Sequence, residues 1–335
     1  MSQYPDFSPL DYDLRHVYNT STGFFEHFAF SGEYSGDNGF AHYTSREQAL
    51  QEASLLPKTC LALFRVDPSR RISYPRPFRG ADKEKSRRSI HIASHRRFHS
   101  GLFIFHITHM PVGCGVWSQL RLQDPERFPN HGEITIVDGV NNGKLGNTIG
   151  LFVHATSCSM SSPRVWRKAT ASADGPTDTC SQRLHGLKGC RYLGGNNTYG
   201  SEWNTNGGGV VALEWRDDGI RQWQWHRDEV PRDILVDAPK PEKWGRPLAD
   251  FPSTRCSLRE PNLGKLAVVA NINLCGLRPE YEWNQSECCS AENCARDDYA
   301  CRRFVAENPE ALGEAYWEFE YIKIFEKAKA GKDES

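Results

Sequence analysis

At 335 residues the chain has room for two average domains or for one large β-sandwich or barrel. Its 41 Lys and Arg nearly balance 42 Asp and Glu, and a net charge of −1 excludes a global electrostatic pull toward nucleic acid or an acidic surface. No apolar run approaches the roughly 18 residues of a membrane span, and 28 Gly, nine Trp and twelve Tyr suit an all-β chain with many turns.

In chain order, residues 1–30 are aromatic and polar, and Phe24, Phe25, Phe28 and Phe30 are expected to dock onto the body. Residues 45–56 read as a helix opened by a Ser cap, and 61–66 as a strand. A basic stretch from Arg65 to Arg97 lacks interleaved aromatics and reads as a solvated loop between strands. Residues 89–94 and 101–108 are strand-like, and the second run is apolar on both faces, as in a buried sandwich strand. After a β-branched run at 132–142 comes a strand at 151–154. Residues 161–206 are rich in Gly, Ser, Thr and Asn, an irregular loop cross-linked at Cys180 and Cys190. The runs 209–215 and 219–225, separated by Arg216, Asp217 and Asp218, form a hairpin. Strands at 267–274 and 317–325 and a short helical turn at 308–315 complete the series. Many short strands, few helices and no βαβ alternation predict two packed antiparallel sheets. With no repeat and no linker, the chain is expected to be one domain over residues 1–335.

Eleven cysteines, five of them between Cys275 and Cys301, point to disulfides and an oxidising compartment. Zinc is the rival reading of Cys288, Cys289, Cys294 and Cys301, but the spacing lacks paired Cys-x-x-Cys knuckles, and no metal or cofactor is expected. Sequons at Asn19, Asn196 and Asn284 agree with secretion, whereas the first residues lack a basic and an apolar signal region. The expectation is a cytoplasmic protein if that N-terminus is native and a secreted one if a signal was trimmed. No Gly-x-Ser-x-Gly elbow, phosphate-binding loop or dinucleotide fingerprint occurs.

The stretch Gly132-Glu133-Ile134-Thr135-Ile136-Val137-Asp138-Gly139-Val140-Asn141-Asn142 has acids near both ends and a turn after it, a strand carrying side chains into a site. With Cys114-Gly115-Val116-Trp117, Cys158-Ser159-Met160, Gly207-Gly208-Gly209-Val210, Glu214-Trp215, Asn271, Cys275-Gly276 and Tyr316-Trp317-Glu318, all in one order, it resembles the fungal endo-1,3(4)-β-glucanases of glycoside hydrolase family 16 over roughly residues 12–326. The resemblance implies a β-jelly roll of two antiparallel sheets, a substrate groove across the concave sheet, and Ca²⁺ or no metal. It places the nucleophile at Glu133, the assisting Asp at Thr135 and the acid/base Glu at Asp138, sharing a face through a bulge. Asp138 is one methylene short of Glu, and a displacement above 1 Å costs on the order of 10²-fold in rate. Thr135 removes a carboxyl that would share a proton with the nucleophile. Where the family continues with Pro-Ala-Phe-Trp, this chain has Ser118-Gln119-Leu120-Arg121; His106 and Thr108 stand where acids are common.

The expected groove is lined by Trp117, Arg121, Thr135, Trp203 and Trp215, with Glu133, Asp138 and His154 as catalytic candidates. Trp215, Trp223 and Trp225 are expected on one face. Three functions follow. One is a cofactor-independent cyclase or isomerase of a small molecule, a cytosolic step in fungal secondary metabolism such as an intramolecular Diels–Alder-type cyclisation, favoured by the loss of hydrolytic residues. The others are a retaining β-glucanase using Asp138 as acid/base and a non-catalytic β-glucan-binding protein. The expected partner is a small molecule or a β-glucan, with neither nucleic acid nor membrane, and the chain is expected to be a monomer.

Overall fold

The computed structural model describes residues 8–32, 39–51, 55–57, 60–73, 85–144, 146–154, 158, 180–181, 189–253, 256–283, 286–288 and 300–328. Two large antiparallel sheets face each other. The first has seven strands in the order β12-β11-β10-β9-β16-β7-β2: Cys190–Leu193 (β12), Thr148–Phe152 (β11), Glu133–Val140 (β10), Val116–Gln123 (β9), Leu266–Leu274 (β16), His91–Phe98 (β7) and Phe28–Phe30 (β2). The second has eight. Ala249–Pro252 (β15), Gly219–His226 (β14), Gly209–Trp215 (β13), Gly101–His109 (β8), Tyr316–Lys327 (β17), Ala62–Arg65 (β5) and Leu55–Pro57 (β4) follow in that order, and Tyr12–Tyr18 (β1) pairs with β17. A small parallel pair joins Ala41–Tyr43 (β3) and Arg87–Ser89 (β6). The described helices are short: Arg46–Gln51 (α1), Ser201–Thr205 (α2), Arg232–Leu235 (α3), Leu277–Trp283 (α4) and Ala300–Glu307 (α5). None of them is long and apolar enough to cross a membrane.

The two-residue strand period builds the core. Leu266, Val268, Ala270, Ile272 and Leu274 of β16 point between the sheets, with Leu120 and Leu122 of β9 and Ile134 of β10, against Phe103, Phe105, Ile107, Val211 and Leu213 of the other sheet. Both faces of β8 are apolar because both are covered. Leu102 and Ile104 pack outward with Trp223 under Ile234 of α3 and Trp244. Phe24, Phe25 and Phe28 are buried in the main core, so the N-terminal aromatics do dock.

Several sequence expectations are corrected. Trp215 points inward and is 1% exposed, its indole donating to the Leu258 carbonyl. Trp223 and Trp225 share the outer face, each edge-on to Trp244 at 5.2 and 5.3 Å. Trp215 and Trp223 sit on adjacent strands in register Trp215↔Ile220 and Ala212↔Trp223, which puts them on opposite faces. Trp203, on α2, is fully buried and donates to the Ile107 carbonyl. Neither Trp203 nor Trp215 lines the groove. His106 and Thr108 lie on β8 in the opposite sheet, where His106 meets Glu320 and Thr108 donates to Glu318, so their departure from the family pattern does not touch the site. The predicted helix at 45–56 is shorter: Ser45 Oγ accepts from the Gln48 amide, but the chain turns into β4 at Leu55.

Eight cysteines form disulfides Cys114–Cys288, Cys158–Cys256, Cys180–Cys190 and Cys275–Cys301, and Cys60 is free and exposed. Cys288 and Cys301 are therefore half-cystines, not zinc thiolates; Cys289 and Cys294 lie outside the described residues, as do Asn284 and residues 161–179. Closing loops of 10 to 174 residues, such bridges contribute about 3–5 kcal/mol each in the chain-entropy account.

Gly139 of β10 is required by a close approach. A Cβ there would sit 2.2 Å from the ring of Tyr199, which is buried and hydrogen-bonded to Ser118 Oγ at 2.8 Å. Gly139→Ala is expected to destabilise by about 2 kcal/mol or more through overpacking, lowering the thermal midpoint by several degrees. Gly32→Ala, where an added methyl meets nothing within 4 Å, should leave it unchanged.

Candidate active site

Strand β10 carries the site, and a bulge sets its face. Against β9, Thr135 pairs with Arg121 and Val137 with Leu120, so Ile136 is the extra residue. Glu133 and Thr135 face the open side of the seven-stranded sheet. The bulge turns Val137 into the core and brings Asp138 back to the open side, opposite Gln119. The Ile136 carbonyl accepts from Asn147 Nδ2 and Gln222 Nε2, both at 2.9 Å, and the Asp138 amide donates to Asn147 Oδ1 at 3.1 Å. These bonds replace the ladder where the extra residue interrupts it.

Glu133 is buried, and both its oxygens accept hydrogen bonds: one from Thr135 Oγ1 at 2.6 Å, the other from Gln123 Nε2 at 2.7 Å, with Arg121 Nε at 3.7 Å. Thr135 thus supplies the donor that a protonated Asp would, without a proton to share. Burial pushes the Glu133 carboxyl above its ordinary value, with Asp138 adding to it; Arg121, Thr135 and Gln123 oppose.

Asp138 is held differently. Its Oδ1 accepts from the Trp117 indole at 2.8 Å and its Oδ2 from Arg278 Nη1 at 2.5 Å. Arg278, on α4, also contacts Glu282 at 3.2 Å one helical turn on. Arg191 of β12 pairs with Gly150, which pairs with Thr135, and its guanidinium lies over the Phe152 ring at 5.4 Å. Burial lowers the Arg191 pKa, Arg278 adds to that, and the Asp138 and Glu133 carboxylates oppose it. Two carboxylates therefore lie among three guanidiniums.

Beside Glu133 a cavity of about 430 Å³ opens over β9, β16 and β7. Its floor is polar: Gln119, Arg121, Gln123, Asn271 and Asn273, with Tyr43 at the side. Arg121 Nη1 donates to Gln119 and Asn271, and Asn271 Nδ2 to the Tyr43 hydroxyl. His91 joins the lining; burial and the Arg121 cation depress its pKa to about 3, so it stays neutral. Phe30 and Phe128 supply the aromatic surface.

Of the residues singled out in the sequence, Glu133, Thr135, Asp138, Trp117 and Arg121 come together. His154 follows β11 by two residues and is half-buried. Leu120, of the run that replaces the family's aromatics, faces the core. Arg278, Arg191, Gln123 and the two phenylalanines were not anticipated. Arg278 and Glu282 carry one sequence signal, an i,i+4 charge pair, but the acid that Arg278 meets lies 140 residues away.

A model of the XgeA-like catalytic GH16 domain matches residues 28–325. A probable glycosidase of Schizosaccharomyces pombe is 30% identical over 324 residues, which is 97% of this chain and 71% of that protein. A probable endo-1,3(4)-β-glucanase of Aspergillus flavus is 30% identical over 307 residues, 90% of this chain but only 43% of that protein. A solved structure described as an elongating GH family 16 β-1,3-glucosyltransferase superposes with a TM-score of 0.82 at 30% identity, covering 94% of this chain and all of that one. The bulged strand, the polar groove and these matches agree: the chain belongs to glycoside hydrolase family 16, in its XgeA-like branch.

Proposed function

We propose that the groove over β9, β10 and β16 receives a β-linked glucan or oligosaccharide, that Glu133 is a working glycosyl-accepting nucleophile, and that acid-assisted departure of an ordinary sugar leaving group is suppressed. One observation carries this: both Asp138 oxygens act as acceptors, from Trp117 and Arg278, while Glu133 keeps its donors. In a retaining reaction a Glu133 oxygen bonds to the anomeric carbon as the C1–O bond breaks. The electron pair leaves with the glycosidic oxygen, which takes a proton from the second carboxyl. With both Asp138 oxygens engaged by donors, only a leaving group stable as an anion departs readily. The amides, hydroxyl and guanidinium of the floor offer the hydrogen bonds that a polyol needs, and the glucanase and glucosyltransferase matches support that substrate class.

The cyclase or isomerase reading has one observation in its favour. A cavity of about 430 Å³ is the size that takes a small organic molecule. Its floor of amides and a guanidinium is not the dry aromatic surface that folding an apolar substrate demands, so the glucan reading is preferred.

The test uses 2,4-dinitrophenyl β-laminaribioside, whose leaving group needs no proton, beside laminarin, whose leaving sugars do. The protein is expected to release dinitrophenolate in a reaction abolished by Glu133→Gln, and to release reducing ends from laminarin at least about 10²-fold more slowly than a general acid would allow. Absence of dinitrophenolate release above the Glu133→Gln background would overturn the reading, and absence of calorimetric heat with laminaritetraose as well would leave the small-molecule alternative.

The pH dependence has a definite sign. The nucleophile works as the anion, and burial raises the Glu133 pKa above 4.5. Dinitrophenolate release should therefore fall as pH drops through a limb lying above 4.5, measured as initial rates from pH 4 to 8.

A further inference from the structure

Arg278 has no place in the retaining reaction, yet it takes one oxygen of the residue at the acid/base position. Its Nη1 donates to Asp138 Oδ2 at 2.5 Å and its Nη2 to Glu282 Oε1 at 3.2 Å. The guanidinium is thus strung between an acid of the sheet and an acid of its own helix. That helix is held at both flanks. Cys275, two residues before α4, is bonded to Cys301 of α5, and Cys288, five residues after it, is bonded to Cys114. Cys114 lies two residues before β9, the strand that presents Trp117 to the other Asp138 oxygen. The two groups that engage Asp138 are therefore covalently tied to each other through one disulfide.

We propose that Arg278 is a positioning residue that keeps Asp138 with both oxygens engaged by donors, and that this lock, more than the missing methylene, suppresses hydrolysis of unactivated β-glucan. The inference rests on the reading of the preceding section. A carboxyl that must give up a proton needs one oxygen free to carry it; here one oxygen accepts from an indole N–H and the other from a guanidinium N–H. The charged or titratable groups around Asp138 are Arg278 and Glu282 of α4, Arg191 of β12, Glu133 of its own strand and Tyr199. Burial raises the pKa of Glu282, and that of Arg278 rises under Asp138 and Glu282 despite its own burial. Without Arg278, Asp138 Oδ2 loses the donor that occupies it. Asp138 would then carry a proton to the glycosidic oxygen as the C1–O bond breaks, and recover one from water when the Glu133 ester is hydrolysed.

The experiment compares the full chain with Arg278→Met, Arg278→Lys and the double variant Arg278→Met/Asp138→Asn, on laminarin and on 2,4-dinitrophenyl β-laminaribioside. Arg278→Met is expected to raise laminarin hydrolysis by about tenfold or more, a fraction of what a general acid contributes. Arg278→Lys, which keeps a charged donor, should stay near the parent, and the double variant should lose the gain. Dinitrophenolate release, whose first step needs no acid, should change less than threefold in Arg278→Met and Arg278→Lys. Unchanged laminarin hydrolysis in Arg278→Met, with dinitrophenolate release intact, would overturn the lock while leaving the preceding reading standing. No dinitrophenolate release from any form would overturn the preceding reading itself. Arg278→Ala removes the same donor and gives the same comparison if the Met variant does not fold, folding being checked by its thermal transition.

Discussion

The site depends on a single backbone interruption. Ile136 adds one residue to β10, and two side-chain amides absorb what that residue leaves unpaired. Asn147 acts in both directions, accepting from the Asp138 amide and donating to the Ile136 carbonyl. Gln222 reaches the same carbonyl from β14, in the opposite sheet. A buried carbonyl without a partner costs about 1–3 kcal/mol, so this arrangement ties the separation of the sheets to the phase of one strand. Without the extra residue, the strand period would send Val137 to the groove and Asp138 into an apolar core. The bulge therefore decides both where the carboxylates are and whether the core closes.

Once the carboxylates share a face, their surroundings separate their roles. Glu133 is surrounded mainly by uncharged donors, with one guanidinium 3.7 Å away, and burial dominates. Asp138 accepts directly from a guanidinium. The same sheet thus presents one acid whose charge is costly and one whose charge is compensated, a division produced by residues on β9 and α4, not on β10. The polar floor follows the same logic: Arg121 binds Gln119, Asn271 and the Glu133 edge, so the side chain standing in the family's aromatic run also organises the hydrogen-bonding surface beside Glu133.

Much of this was legible in the chain, and the failures have physical causes. The strands of the two sheets, the two apolar faces of β8 and the hairpin of β13 and β14 are local patterns, and a single sequence records local patterns well. The motif around Glu133 singled out β10 because its glycines and acids sit on one strand. Trp203 and Trp215 were misplaced because an indole suits a core as well as a sugar platform; only the register Ala212↔Trp223, a long-range fact, separates the inner face from the outer. His106 and Thr108 were linked to the site by proximity in sequence to β9, yet β8 belongs to the other sheet. Arg278 was passed over because its meaning comes from a partner 140 residues earlier. Its helix carries an exposed Leu277 and Tyr281, which give no amphipathic pattern to draw attention to it.

The two cystines flanking α4 have an evolutionary consequence. A strand residue in this sandwich is constrained by its sheet neighbours, its facing core layer and its register, so substitutions on β10 are expensive to explore. A helix pinned at both ends by covalent links is different. Its position survives changes at its less buried side chains, because the two cystines and the buried Pro279 and Trp283 hold it there. Position 278 can therefore vary while Asp138 stays in place, so one surface helix can change what that acid meets without any change on β10. In such an architecture, descendants can drift between hydrolysis, transfer and simple binding through one or two substitutions outside the motif by which the family is recognised.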